Sequence, residues 1–242
     1  AQVSRALGRG ETDRAAELGG AGLMLMAAVM ILLSSLGAIF ARPMCELLGA
    51  QGRTLDLTVR FLWIVMPSMT LMAVGMSAAA LLRAKGDAKR SMYVTLVAAV
   101  VTAALDPVFI FLFDLGLDGA AIVTIISRVV LMLVGLYGAM HVHRMVRLPS
   151  RQTLLTAARP YFAIGLPAVM TQLATPVGNA YVTREIASFG DAAVAGWAVI
   201  GRLTPLAFGA VFALSGAIGP ILGQNLGARR FDRVEQTMRD SF

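Results

Sequence analysis

Long apolar runs alternate with short polar stretches along the chain, and that alternation predicts its architecture. Leu18 to Ala41 carries no charge over 24 residues. At about 1.5 Å per helical residue it reaches roughly 36 Å, enough to cross a hydrocarbon core of about 30 Å. Five further runs follow: Phe61 to Leu82, Ser91 to Phe113, Leu115 to Met140, Tyr161 to Thr183, and Ala192 to about Leu222. Each is predicted to be helical by length and composition, because an isolated segment in a bilayer must satisfy its own backbone. The expected fold class is therefore all-α, a polytopic membrane bundle of six transmembrane helices. Pro67 and Gly75 lie in the second run and predict a bend there. Pro167 and Pro176 lie in the fifth, and Pro205 and Pro220 in the sixth.

Composition agrees with the pattern. Of the 242 residues, 57% are hydrophobic and 14% charged, against about 25% charged in an ordinary soluble domain. The net charge of +7 sits in short clusters between apolar runs, not on a basic face with interleaved aromatics, so nucleic acid is not an expected partner. The clusters instead carry topology. With six crossings, one side collects Arg5, Arg9 and Arg14; Arg83, Lys85, Lys89 and Arg90; Arg144, Arg147, Arg151 and Arg159; and Arg229, Arg230, Arg233 and Arg239. The other side holds only Arg42, Arg53, Arg60 and Arg184. By the positive-inside rule the first side is cytoplasmic, with both chain ends on it, and the lipid bilayer is the first partner. The chain opens without a signal peptide, and its last residues, Asp232 to Phe242, form a polar amphipathic stretch without a stop signal. Both ends therefore read as cuts in a longer protein.

Chemistry is sparse. Cys45 is the only cysteine, and His141 and His143 sit in a basic loop, so neither a disulfide nor a metal or redox motif is expected. No nucleophile triad is present, and GRGET at 8–12 lacks the ending of a phosphate loop. The chain is expected to be neither an enzyme nor ATP-driven, and to need no cofactor. An internal repeat stands out more. SRALGRGETDRAAE at 4–17 aligns without gaps to GQNLGARRFDRVEQ at 223–236, so that Leu7, Gly8, Asp13 and Arg14 meet Leu226, Gly227, Asp232 and Arg233. An even number of crossings separates the copies and puts both on one face. A parallel repeat about an axis along the membrane normal requires that, although two similar helix starts would give the same match.

The motifs, in their order, resemble the multidrug and toxic compound extrusion (MATE) family, most closely its DinF-like branch. They are SRALGRGETDRA, LLRAKGDAKRSM at 81–92, ALDPVFIF at 104–111, GLDGAAIVTIIS at 116–127, GLPAVMTQL at 165–173, FGDAAVAGWAVIGR at 189–202 and GPILGQNLGA at 219–228. The resemblance covers essentially the whole chain and implies the third to eighth of twelve helices in two six-helix lobes. Residues 1–146 would hold the last four helices of the amino-terminal lobe. Residues 147–160 would form a cytoplasmic inter-lobe linker, and 161–242 the first two helices of the carboxyl-terminal lobe. The remaining helices of the full-length chain would then be necessary partners. The family likeness further implies a secondary antiporter of the inner membrane that exports amphipathic, usually cationic compounds in exchange for protons or sodium ions.

Asp106 is the only carboxylate well inside a run, and an unpaired charge at such depth costs at least about 2.5 kcal/mol. It needs a partner or a proton. Thr102 lies four residues earlier on the same helical face. Pro107 has no amide hydrogen, so the Ala103 carbonyl loses its helical partner. Thr124 should lie at similar depth on the returning helix, and such gathered oxygens suit a proton or a hard cation. In the family the aspartate of this LDP motif works with an asparagine four residues before it, a threonine on the next helix and an aspartate of the first helix. Asp106 and Thr124 match, while Thr102 replaces the asparagine. A glutamate that other branches carry in the seventh family helix is Thr175 here. Gln172, Asn179 and Arg202 are possible cavity-lining groups, the first two equally readable as glue between helices. Arg128 and Arg202 are substrate or gate residues, or else snorkel or pair with an acid such as Asp118. The methionines of the first two runs suit a pliable cavity or ordinary packing. Two other readings remain open at this point: a lipid-linked oligosaccharide flippase of the same superfamily, and a non-transporting membrane scaffold.

Overall fold

The computed structural model describes residues 2–47 and 51–241, and every regular element among them is a helix. In chain order these are α1 (Gln2–Gly8), α2 (Thr12–Ile39), α3 (Ala41–Leu47), α4 (Gly52–Val65), α5 (Met69–Lys85), α6 (Ala88–Pro107), α7 (Gly116–Tyr137), α8 (Arg151–Ala187), α9 (Asp191–Ala207), α10 (Gly209–Gly227) and α11 (Phe231–Ser241). A 3₁₀ turn, Met66–Ser68, joins α4 to α5, and single π turns, Val108–Leu112 and Gly138–Val142, extend α6 and α7.

Five stretches are long and apolar enough to cross a membrane: Thr12–Ile39, Gly52–Lys85, Ala88–Leu112, Gly116–Val142 and Gly209–Gly227. The first four expected runs correspond to the first four of these stretches. The fifth run lies inside α8, a helix of 37 residues, but its threonines, Gln172 and Asn179 hold it below the apolarity of the others. The sixth run is not one helix. It breaks at Phe208 between α9 and α10, where Pro205 has no amide to donate and Gly209 is a weak helix former. Within the stretch 147–160, expected to link two lobes, a helix begins early. Ser150 caps α8 by accepting from the Thr153 amide at 3.1 Å, so the chain is helical from Arg151 onward.

Packing centres on α5. Small residues let helices approach closely where no water drives them together. Ala78, Ala79 and Leu82 of α5 are fully buried, and Leu82 packs with Val94 of α6 and with Leu131 and Val134 of α7. Pro67 bends the second run as expected. Gly75, the other anticipated breaker, lies within regular α5 and serves packing instead: a Cβ there would overlap Leu131, and one at Gly135 would lie 3.0 Å from the Gly75 carbonyl oxygen. The segment after α7 crosses α2 at another set of small residues. Arg147 donates its amide to the Ala16 carbonyl at 3.1 Å, and Cβ atoms at Gly19 and Gly20 would overlap the carbonyls of Met145 and Arg147.

The carboxyl-terminal helices stand apart from this bundle. Between Ala157 and Gly223 no described residue is buried. They are tied on at one end: Thr153 to Glu17 at 3.2 Å, the Tyr161 hydroxyl to the Met26 sulfur at 3.7 Å, and Gln224 Nε2 to the Ala84 carbonyl at 2.5 Å. That end carries the basic loops.

Candidate functional site

Asp106 stands one residue before the place where α6 loses its regular ladder. Pro107 cannot bond the Ala103 carbonyl, and the Val108 amide turns to Leu105, three residues back, so the usual donor to Ala104 is also withdrawn. Proline thus loosens two successive carbonyls beside the carboxylate, where sequence reasoning had found one. The helix then widens into the π turn, with the Phe113 amide on the Val108 carbonyl at 2.9 Å.

Thr102, one turn before Asp106, is engaged elsewhere. Its hydroxyl donates to the Ala98 carbonyl at 3.0 Å and lies 2.6 Å from the Ser127 hydroxyl of α7. With the threonine proton on the carbonyl, Ser127 is the donor between the helices. This bond fixes the antiparallel register of α6 and α7. Counting one turn onward on α6 and one turn back on α7 sets Asp106 at the level of Val123 and Thr124. Thr124 itself donates to the Ala120 carbonyl at 2.8 Å. Ser127, buried to 7% exposure, escaped sequence reasoning; its spacing of three from Thr124 was the available signal.

Arg128 neither snorkels nor pairs with Asp118. Asp118 is held by Arg60 of α4 at 2.6 Å. Arg128 reaches across to the bend at Pro67, where its Nη1 donates to the Val65 carbonyl at 3.1 Å and to the buried Ser68 hydroxyl at 2.7 Å. The cause is local. In the 3₁₀ turn the Met69 amide bonds Met66, not Val65, and the Val65 carbonyl accepts from the Ser68 hydroxyl at 2.7 Å as well as from Arg128. Adjacent residues of α7 therefore tie it to two neighbours, Ser127 to α6 and Arg128 to the α4–α5 bend.

Gln172, Asn179 and Arg202 are all exposed and make no side-chain hydrogen bond among the described residues. The methionines of the first two runs divide between half-buried and exposed positions. No group of three or more His, Cys, Asp or Glu side chains among the described residues is placed to hold a metal.

A second polar cluster lies at the basic end. Asp87 caps α6 by accepting from the Arg90 amide at 2.9 Å, and its other oxygen meets Arg90 Nη1 at 2.6 Å and His143 Nε2 at 2.7 Å. The Arg90 amide, then the His143 ring and the Arg90 guanidinium, hold the carboxyl far below its ordinary range. The turn before it uses Gly86 at φ 94°. Sequence reasoning had singled out neither the cap nor its closure by His143, 56 residues away.

The MatE family model matches residues 1–108 and 167–242. A FAD transporter of Shewanella oneidensis is 30% identical over 98% of the chain and 54% of the relative. The probable multidrug resistance protein YoeA of Bacillus subtilis is 24% identical over 98% of the chain and 53% of its own length. Among solved structures, the Vibrio cholerae MATE transporter VcmN in the bent form superposes with a TM-score of 0.87 at 31% identity, covering 99% of this chain and 55% of that one. The chain thus spans about half the length of these relatives.

Proposed function

Because the chain belongs to the MatE family and is a multi-pass membrane protein, we propose that it forms part of a secondary antiporter of the inner membrane, exporting amphipathic cations in exchange for protons. The observation that carries this reading is Asp106. It is the one acid in the stretch Ala88–Leu112, next to two carbonyls that proline has loosened and level with Thr124 across the helix pair. A carboxylate there offers one negative charge to either a cationic substrate or a proton, so the two compete for it. Sodium is the other candidate for the coupling ion. Thr102 offers it an oxygen where the family pattern has an amide, but that hydroxyl is already shared between Ala98 and Ser127. The proton is therefore the better fit. Residues 1–146 and 161–242 are assigned to separate lobes, and the basic end is assigned to the cytoplasm.

The test uses the full-length protein in vesicles. Asp106→Asn should abolish efflux of a fluorescent cation driven by a proton gradient or a sodium gradient; unchanged efflux rules out the coupling role. A second reading is favoured by the Shewanella relative alone: an anionic flavin dinucleotide as cargo. Transport of that dinucleotide without transport of the cation would establish it over the first. The flippase reading asks for inward arginines, and Arg128 is already committed to Val65 and Ser68.

A further inference from the structure

Arg128 stands near the middle of the stretch Gly116–Val142, about 18 Å from one end and about 21 Å from the other. Its two bonds at the α4–α5 bend, to the Val65 carbonyl at 3.1 Å and the Ser68 hydroxyl at 2.7 Å, both leave from Nη1. Nε and Nη2, which carry three of its five N–H donors, donate to nothing among the described residues. Arg128 is also in no ion pair among them. Both of its partners are neutral, so the bonds make the arginine tolerable in the membrane without compensating its charge.

The unused donors form a recognisable shape. Nε–H and one Nη2–H lie side by side in the guanidinium plane, the edge that takes an oxyanion through two parallel hydrogen bonds. The side chain is also held in advance, because Val65 and Ser68 are buried and sit at a turn set by Pro67. A fork pinned through Nη1 loses little freedom when its other edge is occupied. Asp106 is the acid nearest to Arg128 in depth within the membrane-crossing stretches. It lies level with Thr124, and Arg128 follows one turn later on α7, about 6 Å nearer the basic end. The two charges form no ion pair with each other. A cation and an acid therefore stand one turn apart in depth, each without a counter-charge among the described residues.

We propose that the Nε–Nη2 edge of Arg128 is a subsite for a singly charged oxyanion on the cargo, of which a carboxylate is the simplest. It works beside the cation position at Asp106. A compound that carries both charges satisfies both groups, whereas one with the cation alone leaves Arg128 uncompensated and meets its repulsion. The subsite sets preference among cargoes and takes no part in coupling. It rests on the transporter reading only in that the ligand is a cargo.

The experiment uses the full-length protein in nanodiscs and two dyes that differ in one group. Tetramethylrhodamine has a delocalised cation and a free carboxylate; its methyl ester keeps the cation alone. Fluorescence anisotropy reads the binding of each. Arg128→Gln retains an amide donor for the bend but loses the charge and the fork. It should weaken binding of the acid dye about tenfold or more and leave the ester within about twofold. Arg128→Lys, a point charge without the fork, should fall between parent and glutamine for the acid dye. Equal loss for both dyes, or loss for neither, overturns the subsite; an acid elsewhere in the full-length chain already seated on the fork gives one of those results. A second arm needs no variant. In the unaltered protein benzoate should displace the acid dye and not the ester, and displacement of both or of neither overturns the subsite. Transport then separates the subsite from the reading beneath it. If the acid dye binds through Arg128 while neither dye crosses proton-loaded vesicles, the subsite stands and the antiporter reading fails. If both dyes cross and Arg128→Gln alters them alike, the antiporter reading stands and the subsite fails.

Discussion

Arg128 is the residue whose role changes most between sequence and structure. A cation within a span costs about 2.5–3.5 kcal/mol on insertion scales, and its hydrogen bonds return about 1.5–3 kcal/mol where charged groups take part. The two nearly cancel, so the arginine is worth little to stability and a good deal to shape. Arg128→Met should leave the unfolding free energy in detergent within about 1 kcal/mol of the parent, while hydrogen exchange at 65–69 quickens because the Val65 carbonyl keeps only Ser68. A large loss of stability would show that the bend depends on the charge for folding. Asp87 gives the opposite case, a charge whose value lies in its contacts. Its carboxyl is depressed, so its contribution is present above the ordinary value of about 3.9 and is lost as pH falls through the lower folded value. Asp87→Asn keeps the cap but removes the charge facing Arg90 and His143. Its melting temperature should fall below the parent's at neutral pH, with the gap closing only on strong acidification. A gap that stays open in strong acid would assign the effect to the packing of the cap instead.

At the scale of elements, glycines separate into those that hold helices together and those that do not. Gly75→Ala forces α5 and α7 apart at Leu131 and should cost about 1–3 kcal/mol, as overpacking does. Gly22→Ala, with open space around its Cβ, should gain about 0.5–1 kcal/mol from the stiffer chain. Thermal unfolding of the two variants side by side checks the ordering. The same contrast explains what was legible. Pro67 announced its bend because a missing amide acts locally, whatever the surroundings. Gly75 looked like a breaker for the same local reason, and only the neighbouring helix turns it into a packing site. The break at Phe208 was hidden because Pro205 and Gly209 fall within one unbroken apolar run. The site divides in the same way. Asp106 and its proline follow from one stretch of sequence, whereas Ser127 and the reach of Arg128 to Val65 depend on which helices become neighbours.

Across the whole molecule, the lopsided basic loops predict that single cysteines at Arg53 and Arg230, in a Cys45→Ser background, react with an impermeant maleimide from opposite faces of the membrane. Reaction from the same face would mean that the count of crossings is wrong. The repeat, four identities in one short alignment, gains most from the fold, because its two copies touch each other, Gly8 at the Gln224 carbonyl and Gly227 at the Arg5 carbonyl. α8 falls below the other long stretches in apolarity, so partition into lipid gives the insertion machinery little reason to release it by itself. It should be retained at the translocation channel until α9 and α10 have emerged and then leave with them as a hairpin. A ribosome stalled once α8 alone has cleared its exit tunnel should therefore hold α8 extractable by alkali, and one stalled after α10 has also cleared it should hold α8 integrated.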